Sequence, residues 1–163
     1  MQPGGVQKLL EHRYHGLQSI NKNLMGFLFD FLKKLFTAKQ SNYKNIFAAK
    51  VVAIENHPNA DRLRVVKLLL GDREVYPIVC GASNFDIEDI VALALPGAKI
   101  AQDIHSKDHQ GFILEKAKIR GIESQGMICA AFELNLSNEP RQEIMVLKND
   151  IKLGSQFKSE MIQ

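Results

Sequence analysis

Residues 116–129 read KAKIRGIESQGMIC, and the alternation within this stretch decides what kind of chain surrounds it. Lys116, Lys118 and Arg120 stand two apart, with Ala117 and Ile119 between them. Side chains alternate across a β-strand, so the spacing predicts three cations on one face and small or apolar residues on the other. Gly121 allows a sharp turn, Glu123 to Gly126 supply a short polar crossing, and Met127 to Ala130 resume an apolar run. A basic strand face beside a hydroxyl and an amide suits a phosphate backbone. The competing reading is an ordinary edge strand whose lysines are only a solvated face.

Short β-type runs continue on both sides of this stretch. Upstream lie IFAAKVVAIE from Ile46, LRVVKLLL from Leu63 to Leu70, VYPIVC from Val75 to Cys80, and Ile90 to Leu95. Residues 112–120 and 126–131 read as the fifth and sixth strands, and EIMVL from Glu143 to Leu147 as a last short one. Glu133 to Leu136 reads as a single helical turn. Gly, Pro and Asn punctuate these runs, and Pro77 marks its own run as an edge or a bulge. Several short strands at this spacing predict a small closed barrel, with a domain over residues 41–160.

The N-terminal part has a different texture. Leu17, Ile20, Leu24, Phe27, Phe31 and Leu35 follow at steps of three and four, which predicts an amphipathic helical extension over residues 1–40. A stripe this wide calls for a partner: the following domain, a second copy of the chain, or a larger subunit. Its basic residues also permit a membrane-surface reading, though protein is the usual partner of such a stripe. Residues 39–45 (KQSNYKN) read as a linker.

Charge divides along the same boundary. The net +3 combines seven Lys/Arg against two Asp/Glu in residues 1–45 with fourteen against sixteen in residues 46–163. The barrel is therefore not a broadly basic binder, and any nucleic-acid contact must use a local patch. No stretch reaches the roughly 18 apolar residues of a membrane span, and the N-terminus lacks the order of a signal peptide. A cytoplasmic location is the expectation, with Cys80 and Cys129 as reduced, buried thiols.

The motifs of catalysis are missing from the sequence. It has no phosphate loop, no dinucleotide fingerprint, no nucleophile elbow and no H-E-x-x-H metal site. Cys80 sits at the end of an apolar run with no neighbouring cation in sequence to activate it. His105 and His109, with Asp103 or Asp108, lack a well-spaced further ligand, so AQDIHSKDHQG (residues 101–111) reads as a mobile polar loop. Neither a catalytic site nor a metal site is expected.

Two further blocks, joined to the opening stretch, turn the binding reading into a family resemblance. His57 to Leu63 (HPNADRL) resembles the HP[ND]AD-x-L signature of the tRNA-binding domain of synthetase-associated proteins. Lys118 to Cys129 resembles the same family's K-x-RG-x-ES-x-GM-x-C block, and Ile78 to Asn84 resembles IVCGA-x-N, a form typical of the bacterial phenylalanyl-tRNA synthetase β subunit and its free-standing relatives. Val91 to Ala98 and Glu133 to Leu136 agree with the family as well. The resemblance covers roughly residues 43–157. Residues 1–40 do not resemble the start of the β subunit, the 101–111 loop looks long, and Asn135 stands where glycine is frequent. The chain thus reads as a subunit fragment, a divergent subunit or a free-standing protein.

The resemblance implies a mainly β protein with an oligonucleotide-binding (OB) fold, a five-stranded barrel with additional strands, and tRNA as its ligand. Carried onto this sequence, it implies tRNA contacts by Lys116, Lys118, Arg120, Ser124, Gln125, Met127 and Asn84, with His57 and Arg62 as weaker candidates. Asp61 and Leu63 are expected to shape their turn, with a buried Asp61 accepting backbone N–H groups. No cofactor is implied for this chain. ATP and magnesium would enter only through a complete synthetase, in which a partner α subunit carries catalysis. The alternative is an interaction module, in which the N-terminal helix makes a homo-oligomer or subunit contact.

Overall fold

A computed structural model of the protein describes residues 43–163; the expected helical extension and most of the expected linker lie outside them. The described residues form nine strands: β1 (Ile46–Asn56), β2 (Arg64–Leu70), β3 (Arg73–Cys80), β4 (Ile90–Ala94), β5 (Lys99–Ile100), β6 (Phe112–Ile113), β7 (Ala117–Ile119), β8 (Ile122–Ser124) and β9 (Met127–Ile128). Five of them form an antiparallel sheet in the order β3-β2-β1-β4-β9. The described residues are mainly β, as the alternation and turn residues predict, and the curled five-stranded sheet has the OB architecture that the family resemblance implies.

β1 organises the sheet because it serves two neighbours. Its first half, Ile46 to Lys50, pairs with β4, and its second half, Lys50 to Asn56, pairs with β2. A register shift between Val51 and Ala53 bends the strand between these tasks, as a bulge does. At the far edge the chain entering β9 returns to β3, where the Gln125 N–H donates to the Pro77 carbonyl at 2.9 Å. The two edges are thereby joined and the sheet curls. Pro77 sits where a proline is tolerated, on edge strand β3 and beside a register shift in its pairing with β2.

Period-two alternation sends side chains into two apolar layers. Val51, Val66, Leu68, Ile78, Val91 and Leu93 fill the inside of the curled sheet, together with Phe85 from the loop after β3. The intervening residues Ile46, Ala48, Ile90, Ala92 and Ala94 face an outer layer with Leu134, Leu147 and Phe157. β4 is therefore buried along its whole length, which explains why IVALA is apolar without alternation. The alanines let the C-terminal segment lie close, and it runs along β1. The Gly154 N–H donates to Ala48 at 2.8 Å, and the Phe157 N–H donates to Ile46 at 2.8 Å.

Two expected strands take other forms. Residues 112–120 divide into β6, an irregular link and β7, and the strand ends at Ile119 rather than Arg120. Residues 143–147 make isolated bridges, Ile144 to Ala130 and Val146 to Val91, instead of a continuous strand. The expected helical turn is present as a 3-10 turn, Phe132–Leu134.

The 101–111 segment packs on that turn. Ala101 N–H donates to the Glu133 carbonyl at 2.8 Å, Gln102 Nε2 donates to Asn135 Oδ1 at 2.9 Å, and the His109 ring meets Phe132 edge-on at 5.0 Å. Asn135 adopts φ 57°, a left-handed value that asparagine tolerates where the family often has glycine.

Candidate nucleic-acid interface

β7 and β8 form a hairpin, with Lys118 opposite Glu123 and Ile119 opposite Ile122. Two residues close it, Arg120 at φ 48° and Gly121 at φ 101°. Positive φ at both central positions is what a two-residue I′ turn requires, and it matches the twist of the strands. Arg120 therefore leaves the strand face that the spacing predicts for it and projects from the hairpin tip. Lys116, Lys118 and Arg120 are all exposed. Lys116 Nζ lies 3.7 Å from Glu123 Oε1, whereas Lys118 and Arg120 have no ion pair among the described residues.

The HPNAD turn between β1 and β2 grips this tip. His57 is buried, and its Nδ1 accepts from the Asn59 N–H at 3.1 Å. The ring proton therefore sits on Nε2, which donates to the Ile119 carbonyl at 3.2 Å. Asn59 Nδ2 donates to the Arg120 carbonyl at 3.3 Å. Two blocks some 60 residues apart thus form one unit, linked by the carbonyls of the residues flanking and making the turn. Asp61, expected to be buried, is exposed, and the imidazole of His57 does the turn-shaping work instead. Arg62 is exposed on the same turn, and Leu63 is half-buried.

Several other sequence candidates are committed to the fold. Ser124 is 3% exposed; its hydroxyl accepts from the Val79 N–H at 3.0 Å and donates to the Gly126 carbonyl at 2.8 Å. This hydroxyl ties the hairpin to the end of β3 and faces no solvent. Asn84 brackets Ile144, donating to its carbonyl and accepting from its N–H, both at 2.9 Å. That amide splices the loop after β3 to the C-terminal segment. Gln125 is half-buried and folds its amide onto Glu123, 3.2 Å from both its carbonyl and Oε1. Met127 is half-buried on β9.

Arg64 was not among the sequence candidates. Its guanidinium donates to the carbonyls of Ala82 and Phe85 at 2.6 and 3.3 Å and lies over the Phe85 ring at 4.2 Å. It holds the GASNF loop in place. The signal in sequence was only its position one residue past HPNADRL.

Gly126 makes the hairpin's exit possible, since a Cβ there would meet the Ala94 carbonyl oxygen at 2.5 Å. Beside the hairpin opens a groove of about 430 Å3, walled by Ile119, Val79, Cys80, Met127, Ile104 and His105. A larger, shallower depression of about 530 Å3 lies by Gly71 and Asp72, at the other end of β2 and β3. Cys80 and Cys129 are free and buried, and burial pushes both thiols up, Cys129 the further. No group of three or more His, Cys, Asp or Glu among the described residues is placed to hold a metal ion. No described helix is long and apolar enough to cross a membrane.

The family described as "Putative tRNA binding domain" matches residues 46–156. The phenylalanine–tRNA ligase beta subunit of Chlamydia pneumoniae is 43% identical over 107 residues, covering 66% of this chain and 13% of that one. The corresponding subunit of Syntrophus aciditrophicus is 37% identical over 113 residues, covering 69% and 13%. The chain therefore spans about 13% of the length of these relatives. Among solved structures, the C-terminal domain of Plasmodium vivax p43 aligns with a TM-score of 0.46 at 21% identity, covering 71% of this chain and 59% of that one. With the matched region running from the start of β1 to the C-terminal segment, the chain belongs to the tRNA-binding domain family and is related, over that domain, to the beta subunit of phenylalanine–tRNA ligase.

Proposed function

We propose that the domain binds tRNA on the surface made by the HPNADR turn and the β7–β8 hairpin. Lys118 and Arg120 are its main phosphate contacts, Arg62 and Lys116 add to them, and Gln125 and Met127 border them. The observation that carries this reading is the pair of hydrogen bonds from His57 and Asn59 to Ile119 and Arg120. They brace the cationic tip at the β1–β2 loop and at the loop before the closing strand, the two loops OB barrels use for oligonucleotides. Lys116 ranks below Lys118 because Glu123 partly neutralises it. Ser124, Asn84 and His57 serve this surface by holding it and do not contact the ligand.

Binding of this kind is electrostatic and weakly selective for sequence, so affinity falls as salt rises. The test is filter binding of tRNA over a salt series with Lys118→Ala/Arg120→Ala. Removing two phosphate contacts should lower affinity and reduce the slope of log K against log salt by about 1.5. Circular dichroism should be unchanged, because both side chains are exposed and unpaired. Undiminished affinity in the double variant would place the binding surface elsewhere. The domain has no catalytic role in this reading. It acts as a tRNA-holding module of a phenylalanine–tRNA ligase, with ATP, magnesium and aminoacylation belonging to a partner α subunit.

A further inference from the structure

The groove beside the hairpin is not explained by phosphate binding. Its walls are apolar and about 430 Å3 is open to solvent between them. Ile119, which forms part of the wall, stands between Lys118 and Arg120. Lys118 projects from the opposite face of β7 to Ile119, so the groove adjoins the cations across the edge of the hairpin, and a chain whose phosphates are held at the tip passes beside its mouth. The polar lining comes from Glu133, His105 and Gln142.

Glu133 is 6% exposed, and one carboxylate oxygen, Oε2, accepts from the Ala130 N–H at 2.7 Å. The other, Oε1, has no hydrogen-bond partner among the described residues. Oε1 is not enclosed by the protein, so this nearly buried carboxylate keeps one acceptor open in an apolar slot, suited to a donor that arrives with a flat apolar body.

We propose that the groove takes one unstacked base of the bound RNA and that Glu133 accepts a hydrogen bond from the base's amino group. This rests on the tRNA-binding surface proposed above and adds to it a base-reading subsite. Sequence-reading proteins favour unstacked RNA bases, whose edges are free to be read and whose faces pack on side chains. Carboxylates accept from the exocyclic amine of cytosine, whereas uracil carries a carbonyl at that position. Met127 and Ile119 supply contacts for the base faces without an aromatic ring. Burial, the largest influence on Glu133, raises its pKa, and a donor from the base would offset the hydration that the carboxylate has lost.

The test uses the full chain and three RNAs of equal phosphate number: oligocytidylate, oligouridylate and a blunt duplex. The wild type should bind oligocytidylate several-fold tighter than oligouridylate, by fluorescence polarisation. Glu133→Gln should erase that preference while duplex affinity stays the same, since the amide oxygen still accepts from Ala130. Gln142→Trp, at an exposed position on the lining, should fill the slot and weaken both single strands about tenfold, the scale of one lost base contact. Its duplex affinity and salt slope should be unchanged.

Equal binding of the two single strands by the wild type, or unaltered single-strand binding by Gln142→Trp, would overturn the base subsite. If Lys118→Ala/Arg120→Ala weakens all three RNAs while the groove variants change nothing, only the subsite fails. Should that double variant bind all three RNAs as the wild type does, the surface itself is wrong, and the subsite with it.

Discussion

The Ser124 hydroxyl joins two backbone groups that no strand pairing satisfies, the Val79 N–H and the Gly126 carbonyl. The sequence offered it as a ligand contact because a hydroxyl between a cationic run and a glycine suits phosphate equally well. Its burial and its two backbone hydrogen bonds favour the structural role. Ser124→Ala leaves a buried N–H without an acceptor, which costs about 1–3 kcal/mol. Urea unfolding should show a lower midpoint at an unchanged m-value, with tRNA affinity of the folded protein within about twofold of wild type. A large loss of affinity without loss of stability would return Ser124 to the binding surface.

Glu133 gives a second residue-scale prediction, through pH. Its folded pKa is raised above the unfolded value, chiefly by burial. The native state then binds the proton more tightly than the unfolded chain, so this group makes stability fall as pH rises through its folded pKa. Lowering pH from neutral towards the ordinary carboxylate range should recover that stability in the wild type. Glu133→Gln should lack this component, and chemical denaturation of both proteins across that range checks the sign.

At the scale of elements, the hairpin shows what the sequence could and could not reveal. Alternation in KAKI and the Arg120-Gly121 pair announced a strand followed by a turn. They did not reveal that the turn begins at Arg120, because a positive φ at arginine has no signature in residue type. The same limit applied to HPNADRL. Asp in a turn usually caps backbone N–H groups, so Asp61 looked structural. The burial of His57 depends on a carbonyl 62 residues away, which local spacing does not encode. β4 was legible as a strand, and so was the run Glu143 to Leu147, but local spacing did not reveal that the second lies on the first and buries its outer face.

A trade between turn stability and charge follows from the I′ geometry. Asparagine followed by glycine is the favoured pair for such a loop, and arginine is not. Arg120→Asn should therefore hold or raise the melting temperature by relieving the left-handed strain at φ 48°. It should also remove one phosphate contact, weakening tRNA binding and reducing the salt slope by about 1. A variant that is more stable and binds less well would mean that the arginine is kept for the ligand. Intact binding would assign the tip a purely structural role.

Across the whole molecule, the distribution of charge limits how binding can work. Residues 46–163 carry fourteen basic and sixteen acidic side chains, so the barrel as a whole does not attract a polyanion. In the proposed surface the attraction is local, supplied at the hairpin by Arg62, Lys116, Lys118 and Arg120. Three or four phosphate contacts give a slope of log K against log salt of about −2 to −4. The first 45 residues carry seven basic side chains against two acidic, enough to dominate if they touch the RNA. A chain starting at Ser41, which keeps the whole family-matched region, separates the two sources. With the hairpin as the binding surface, truncation should leave the slope in the same range and the affinity within about threefold. Sensitivity to Lys118→Ala/Arg120→Ala should persist in the short chain. If instead the full chain gives a slope steeper than about −5 that truncation abolishes, the N-terminal residues make the main phosphate contacts and the hairpin is at most an accessory to them.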